Sequence, residues 1–214
     1  MLKRLKKIGV AMAATLFMAA TASAAPVIDF GTGPAGTGGT LQLVGSNFIG
    51  TNIPIGNVSF FDTPLLNGQT LLVNGSATAT GGGSYGSLNF NTGTGAISIL
   101  GCIPGIAGLG NAACASPFTL LTGTITSFQN VAGQAIFVLT GIDTKNATLL
   151  AALGLSANTP FAPFGSSIAV GSTSGNGSPV ISTDIRNTAV PEPATMMLLG
   201  TGLLAAFRAR RRKA

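Results

Sequence analysis

The chain has no histidine and no tryptophan, and it has very few charged residues. Asp, Glu, Lys and Arg make up 7% of its 214 residues, whereas they supply about 25% of an ordinary globular protein. Without histidine, a Ser-His-Asp or Cys-His catalyst cannot form, and imidazole metal ligands are excluded. A carboxylate pair for glycoside cleavage would have to come from Asp29, Asp62, Asp143 and Asp184. We therefore expect no catalytic residue, no cofactor and no metal site.

The net charge of +6 is concentrated at the two ends of the chain. Nine of the eleven basic residues lie within residues 3–7 and 208–213. Residues 25–190 contain two basic residues and four aspartates, which gives this part a formal charge of −2. A nucleic-acid-binding surface needs clustered Lys and Arg, so we expect no nucleic acid partner.

Residues 1–24 have the three parts of a secretory signal peptide. A basic stretch over residues 1–7 precedes an apolar run of thirteen residues, 8–20, which predicts a short signal helix. Ala22-Ser23-Ala24 is the small-x-small pattern that predicts cleavage before Ala25. The run is shorter than the roughly 20 residues that span a bilayer, which argues against a permanent anchor. We therefore predict export through the Sec translocon and cleavage by signal peptidase.

Residues 190–214 combine a proline motif, an apolar run and a basic cluster. Pro191-Glu192-Pro193 resists helix and sheet pairing, because neither proline has a backbone N–H to donate. Residues 194–207 predict an apolar transmembrane helix of about 21 Å, which crosses a hydrocarbon core of about 30 Å only with local thinning. The positive-inside rule keeps the basic cluster cytoplasmic. That cluster is Arg208, Arg210, Arg211, Arg212 and Lys213.

This tripartite end resembles the PEP-CTERM sorting signal of Gram-negative bacteria. The resemblance covers about the last 25 residues: 190–193, the apolar pieces 198–200 and 202–204, and the terminal arginines. It implies recognition by exosortase, a membrane-embedded cysteine transpeptidase-like enzyme, with Pro191, Glu192 and Pro193 as the motif of a substrate. It also implies a transient tether in the inner membrane, followed by transfer to the cell surface or the extracellular polysaccharide matrix. The alternative is an ordinary single-span anchor.

Residues 25–170 predict a mostly β body, an antiparallel β-sandwich or a barrel-like fold with one short helix. Short apolar or β-branched runs recur about every ten residues between turn-forming residues. Alternation over 85–90 and 122–126 predicts a polar, uncharged sheet face. The predicted strands are Thr40–Val44, Asn57–Phe61, Thr70–Val73, Tyr85–Phe90, Ala96–Leu100, Phe118–Phe128, Gln134–Ile142 and Ser167–Val170.

Three further segments of the body carry specific expectations. The helix is predicted over 146–153, with Asp143 or Thr144 as its cap and Gly154 at its end. The uncharged run 135–141 predicts a central buried strand; Asp143 and Lys145 beyond it are candidate gatekeepers against aggregation if it is exposed. Residues 171–189, which begin GSTSGNGSP, predict a flexible spacer before the sorting signal.

Cys102 and Cys114 are the only cysteines, and they flank a glycine-rich loop. In an oxidising compartment such a pair predicts a disulfide, the alternative being two free thiols or one reactive nucleophile. The sequence as a whole predicts an exported structural protein of the surface or matrix. A lectin-like polysaccharide-binding module, in which Asn, Ser, Thr and Tyr85 on a sheet face contact sugars, is the alternative. Clustered Asp residues with Tyr85 in a groove would favour it. A matrix hydrolase is the least favoured class and needs two aspartates within about 10 Å in a cleft.

Overall fold

In a computed structural model the chain divides into two compact units, residues 26–190 and residues 1–25 together with 191–214. The structure describes residues 24–131, 136–171 and 178–190, and the single residue Gly202. The predicted signal helix and, apart from Gly202, the predicted helix over 194–207 lie outside these residues. Within the described part, no helix has both the length and the apolar character needed to cross a membrane.

The unit of residues 26–190 is built almost entirely from antiparallel strands. Its described residues form twelve strands, one α-helix and a short 3-10 turn at Gly33–Ala35. The strands are β1 Val27–Gly31, β2 Gly38–Val44, β3 Asn47–Ile55, β4 Asn57–Phe61, β5 Thr70–Leu72, β6 Asn74–Thr78, β7 Ser84–Asn91, β8 Ala96–Gly101, β9 Phe118–Asn130, β10 Ile136–Lys145, β11 Phe164–Val170 and β12 Ser178–Thr188, and the helix is α1 Ala147–Ala152.

Eight of the strands close into an antiparallel barrel. Their order is β11-β10-β9-β8-β7-β3-β2-β12, and β12 pairs back with β11. Strands β1, β4 and β5 extend from β12 as a branch in the order β12-β1-β4-β5, and β6 pairs with β7. Closure gives each barrel strand a hydrogen-bonded neighbour on both sides. The structure confirms the mostly β, antiparallel prediction and favours the barrel form over the sandwich.

Strand β12 shows that the spacer predicted over residues 171–189 is wrong for most of its length. Residues 178–188 pair with β11 on one side, and with β2 and then β1 on the other. Buried Thr183, Ile185 and Asn187 alternate with exposed Asp184 and Arg186. Because the strand buries one face and has hydrogen-bonding neighbours on both sides, its polar composition does not make it a linker. The β body therefore extends beyond residue 170, to Val190.

The barrel has two different ends. The hairpin end holds the connections β2–β3, β7–β8, β9–β10 and β11–β12. The opposite end, the capped end, holds α1 and the loops that follow β4 and β8. There the Leu65 N–H donates to the Leu153 carbonyl over 3.0 Å, which ties the β4–β5 loop to the helix. Strand β1 begins and β12 ends at the capped end, because Val27 pairs with Thr188.

One hydrophobic core joins the barrel, the branch and the helix. Phe30 and Phe60 of the branch and Leu149 of α1 belong to the same buried cluster as the inward side chains of the barrel strands. Fully burying an aliphatic or aromatic side chain contributes about 1.5–3 kcal/mol. The predicted central strand is confirmed, since β10 lies between β9 and β11 with Phe137 and Leu139 buried.

Helix α1 begins at a different residue from the one expected. The Asn146 side chain accepts a hydrogen bond from the Thr148 N–H at 2.9 Å, which makes Asn146 the N-cap. Asp143 and Thr144, the predicted caps, belong to β10, where the extended backbone carries them away from the first turn. The predicted end is confirmed, because Gly154 follows the helix with a positive φ of 74°.

Candidate functional site

The chain is bonded to the body up to the residue before Pro191. The Ala189 N–H donates to the Pro26 carbonyl over 2.7 Å, and the Val190 N–H donates to the Pro160 carbonyl over 2.8 Å. Ala189 is buried. Ordered structure therefore reaches the start of the proline motif with no spacer between them. The motif itself, Pro191, Glu192 and Pro193, lies outside the described residues, as do the basic residues Arg208, Arg210, Arg211, Arg212 and Lys213.

The predicted signal cleavage position lies just ahead of the first strand. Ala24 is exposed and Ala25 is half-buried, and neither belongs to a helix or strand, whereas Ala22 lies outside the described residues. Strand β1 begins at Val27, which pairs with Thr188 near the other end of the body. A cut before Ala25 would therefore remove no strand residue.

A buried ion pair lies inside the barrel near the capped end. The Lys145 Nζ is 2.7 Å from the Asp143 Oδ2, and both side chains are inaccessible to solvent. They share a face because residues two apart on a strand point the same way. The Asn187 amide donates to Asp143 over 3.2 Å, and the Lys145 ammonium lies 4.3 Å from the centre of the Phe161 ring. The predicted gatekeeper role is wrong, because these charges are inside the core.

Burial shifts the pKa of both members of this pair toward the neutral form. It raises the pKa of Asp143 and lowers the pKa of Lys145, while the attraction and hydrogen bond between them oppose both shifts. The hydrogen bond from the Asn187 amide, the ring of Phe161 and the mutual contact replace the lost water. We therefore assign the pair a role in fixing the packing of β10 against β12.

A second acidic group lies on the outer face where β1 and β12 pair. Asp29 hydrogen-bonds to Asp184, and Arg186 is the cross-strand partner of Asp29. Burial raises the pKa of Asp29 to about 7; the hydrogen bond to Asp184 and its charge add to the shift, and Arg186 opposes it. Asp29 thus keeps its proton to a higher pH than an ordinary aspartate, and the protonated carboxyl can donate to Asp184. The sequence does not indicate this contact, because it depends on the pairing of β1 with β12.

The two cysteines close the loop between β8 and β9. Cys102 and Cys114 form a disulfide with their Cα atoms 5.6 Å apart, which confirms the predicted bond. Both residues are buried, and Cys102 pairs through an isolated bridge with Asn74. The loop therefore covers part of the capped end as a fixed piece of the core.

A polar face lies across β7, β8 and β9, as the alternation predicts. Asn89 pairs with Ser98, and Ser98 pairs with Thr122. An open groove of about 490 Å³ lies over this face, and the described residues that line it carry no charge. Tyr85 does not line this groove, because the groove lies over the other end of β7. Clustered aspartates beside Tyr85 would have favoured a binding module, and the described residues that line this groove include neither an aspartate nor Tyr85.

The described residues contain no cluster of three or more Cys, Asp or Glu side chains that could hold a metal ion.

Comparison with protein families gives a match that begins at the C-terminal end of the folded body. Residues 189–213 match the family model of the PEP-CTERM protein-sorting motif. The chain carries a PEP-CTERM sorting motif. Such a motif marks an exported protein that is held transiently in the membrane and processed by exosortase.

The PEP-CTERM match begins inside the folded body. Its first two residues are Ala189 and Val190, whose backbone N–H groups are bonded to Pro26 and Pro160. The match covers the sorting end alone, so the function of the barrel has to be inferred from the barrel itself. Neither the comparison with curated proteins nor the comparison with solved structures finds a match to this chain.

Proposed function

We propose that this PEP-CTERM protein is a structural, non-enzymatic protein of the cell surface or extracellular matrix. One observation carries the proposal most directly: the folded body ends at Val190, immediately before the motif. An exosortase cut at Pro191–Pro193 removes the tail and leaves the barrel whole. What is released is a closed sheet with a disulfide, a form suited to persist outside the cell.

The ionisable groups of the body support a structural role. Asp143 and Lys145 neutralise each other inside the core. Asp29 and Asp184 hydrogen-bond directly to each other, whereas the carboxyls of glycosidases are separated by at least about 5 Å to admit the sugar or water. A hydrolase is accordingly the least supported class.

The proposed route begins with Sec export and signal peptidase cleavage before Ala25. The chain is then held in the inner membrane of a Gram-negative bacterium by the apolar segment 194–207, with the basic cluster on the cytoplasmic side. Exosortase removes the tail, and the body passes to the surface or the matrix. We propose no cofactor, metal or nucleic acid partner.

The groove favours polysaccharide binding as the second candidate. Asn89, Ser98 and Thr122 lie side by side on three neighbouring strands, with a spacing of about 4.8 Å between strands. The Ser98 and Thr122 hydroxyls can donate and accept hydrogen bonds, as sugar hydroxyls require. The Asn89 Oδ1 already accepts from the Asn52 N–H over 2.9 Å and its NH2 group donates to the Ser87 hydroxyl over 3.4 Å, which leaves its second amide hydrogen for a ligand. The absence of charge along the groove fits a neutral glycan better than an acidic one.

Matrix fractionation distinguishes the two candidates. The processed protein is compared with a variant carrying Asn89→Ala and Thr122→Ala, and with a control carrying the exposed substitutions Ser167→Ala and Ser182→Ala on β11 and β12. Under the structural proposal, all three stay in the matrix fraction to the same extent. Selective release of the groove variant by wash or by added neutral glycan supports the polysaccharide-binding function. A processed protein found only free in the medium contradicts both.

A further inference from the structure

The PEP-CTERM motif limits how far the barrel can stand from the membrane. Only Pro191, Glu192 and Pro193 separate Val190, still bonded to the body, from the apolar segment that begins at Ala194. Three residues span at most about 11 Å when fully extended. The point where the chain leaves the body is therefore close to the lipid surface in the anchored state. This step rests on the proposed membrane-anchored precursor.

The chain leaves from the capped end of the barrel. Thr188 pairs with Val27, and Val27 pairs with Phe61 on its other side, so Phe61 lies two strands from the end of β12. Strands in a sheet are about 4.8 Å apart. The β4–β5 loop, which contains Leu65, follows Phe61 directly. The end nearest the membrane is thus the end that carries Phe61 and Leu65.

Large apolar side chains are exposed at this end. Phe61 is 43% exposed, Leu65 is 55% exposed and Val190 is 42% exposed. Single exposed apolar residues are common in soluble proteins, but these three lie beside the point of membrane attachment. Transfer of such side chains from water to a lipid interface is favourable.

We propose that the capped end rests on the outer surface of the inner membrane before processing, with Phe61, Leu65 and Val190 in contact with lipid. Asp62 is exposed between the first two, and its charge limits the contact to the interfacial depth, where headgroup water still solvates a carboxylate. The hairpin end then points away from the membrane. Strand β12, with eleven residues, separates the two ends by about 35 Å.

Fluorescence quenching tests this orientation, because the chain has no tryptophan of its own. The full-length precursor carrying Phe61→Trp or Leu65→Trp is reconstituted into phosphatidylethanolamine–phosphatidylglycerol vesicles that contain lipids brominated near the headgroup. Leu43→Trp and Val44→Trp are matched controls, since these residues are 42% and 53% exposed and lie at the hairpin end. Leu65 lies in a loop, so the Leu65→Trp variant still reports lipid contact even if Phe61→Trp in β4 perturbs folding.

The proposal expects a blue-shifted and strongly quenched indole at positions 61 and 65, and an unquenched indole at both control positions. Equal quenching at both ends, or none at the capped end of a precursor retained by the vesicles, overturns the orientation while leaving the sorting function intact. A spectral change at the capped end that appears only when exosortase is added assigns that surface to the enzyme and overturns the lipid contact. A precursor that the vesicles do not retain contradicts the proposed function itself.

Discussion

The backbone N–H of Ala189 donates to the carbonyl of Pro26 over 2.7 Å. This hydrogen bond joins the residue that opens the sorting motif to the residue just before the first strand. The proposed processing removes segments on both sides of this contact: the signal peptide before Ala25 and the tail from a cut at Pro191–Pro193. The two predicted cuts therefore flank a body whose own ends are held together, and neither cut requires a strand to leave the sheet.

The Asp143–Lys145 pair gives a stability prediction. Replacing Lys145 by Met leaves the Asp143 carboxylate buried without its counter-charge, which we expect to cost about 3–5 kcal/mol of unfolding free energy. Adding Asp143→Asn removes that charge and keeps an oxygen that accepts from the Asn187 amide, so the double variant recovers most of the loss. The denaturant midpoints of the processed single and double variants measure the loss and its recovery. The Asp62→Asn variant, at an exposed aspartate, is the control. A double variant as unstable as the single one contradicts the account.

Asp29 predicts a pH dependence with a defined sign. Its pKa is raised from 3.8 to about 7 in the folded protein. A raised carboxyl pKa means that the folded state binds the proton more tightly than the unfolded state. The contribution of Asp29 to the free energy of unfolding is therefore complete below its ordinary pKa. This contribution is lost as the pH rises through about 7.

The isosteric Asp29→Asn substitution removes this titration but keeps a donor to Asp184. We expect the variant to be more stable than the wild type at about pH 8, and we expect this advantage to disappear at about pH 4. Unfolding midpoints of the processed proteins at the two pH values provide the measurement. If the two proteins differ in unfolding midpoint by the same amount at both pH values, Asp29 has no raised pKa.

The Cys102–Cys114 disulfide predicts sensitivity to reductant. The bond closes a short loop between residues twelve apart in sequence, and its loss should cost about 3 kcal/mol in the chain-entropy model. We expect reductant to lower the unfolding temperature of the wild type. The Cys102→Ser and Cys114→Ser double substitution should lower the unfolding temperature by as much as reductant does. Reductant should then have no further effect on the double variant. Ready alkylation of the two thiols without reductant would disprove the bond.

Strands with clear alternation and ordinary turns could be predicted from the sequence. Strand β4 matches its predicted bounds, Asn57–Phe61, because polar and apolar residues alternate between turn signals. Strand β3 was missed, since its register shifts between Gly50 and Ile53 and Asn52 adopts a positive φ of 50°, which breaks the period of two. Strand β12 was missed because Ser, Asp and Arg suggested a solvated linker, although Thr183, Ile185 and Asn187 alternate with them.

The candidate site also has features that the sequence predicts and features that only the fold shows. The sorting motif could be found from residue order alone, since export signals are read as extended sequence. The Asp143–Lys145 and Asp29–Asp184 contacts could not, because each depends on which face of a strand is buried. Spacing of two on one strand predicts that Asp143 and Lys145 share a face, but only the closed barrel makes that face the inside.

The most direct test of the central claim is intact-mass analysis of the protein collected outside the cell. We expect one species with its N-terminus at Ala25, its C-terminus within Pro191–Pro193 and its disulfide formed. A matched chain carrying Pro191→Ala, Glu192→Ala and Pro193→Ala should keep its tail and stay in the membrane fraction. An extracellular protein that retains Arg208–Lys213, or a motif variant processed as fast as the wild type, would contradict the account.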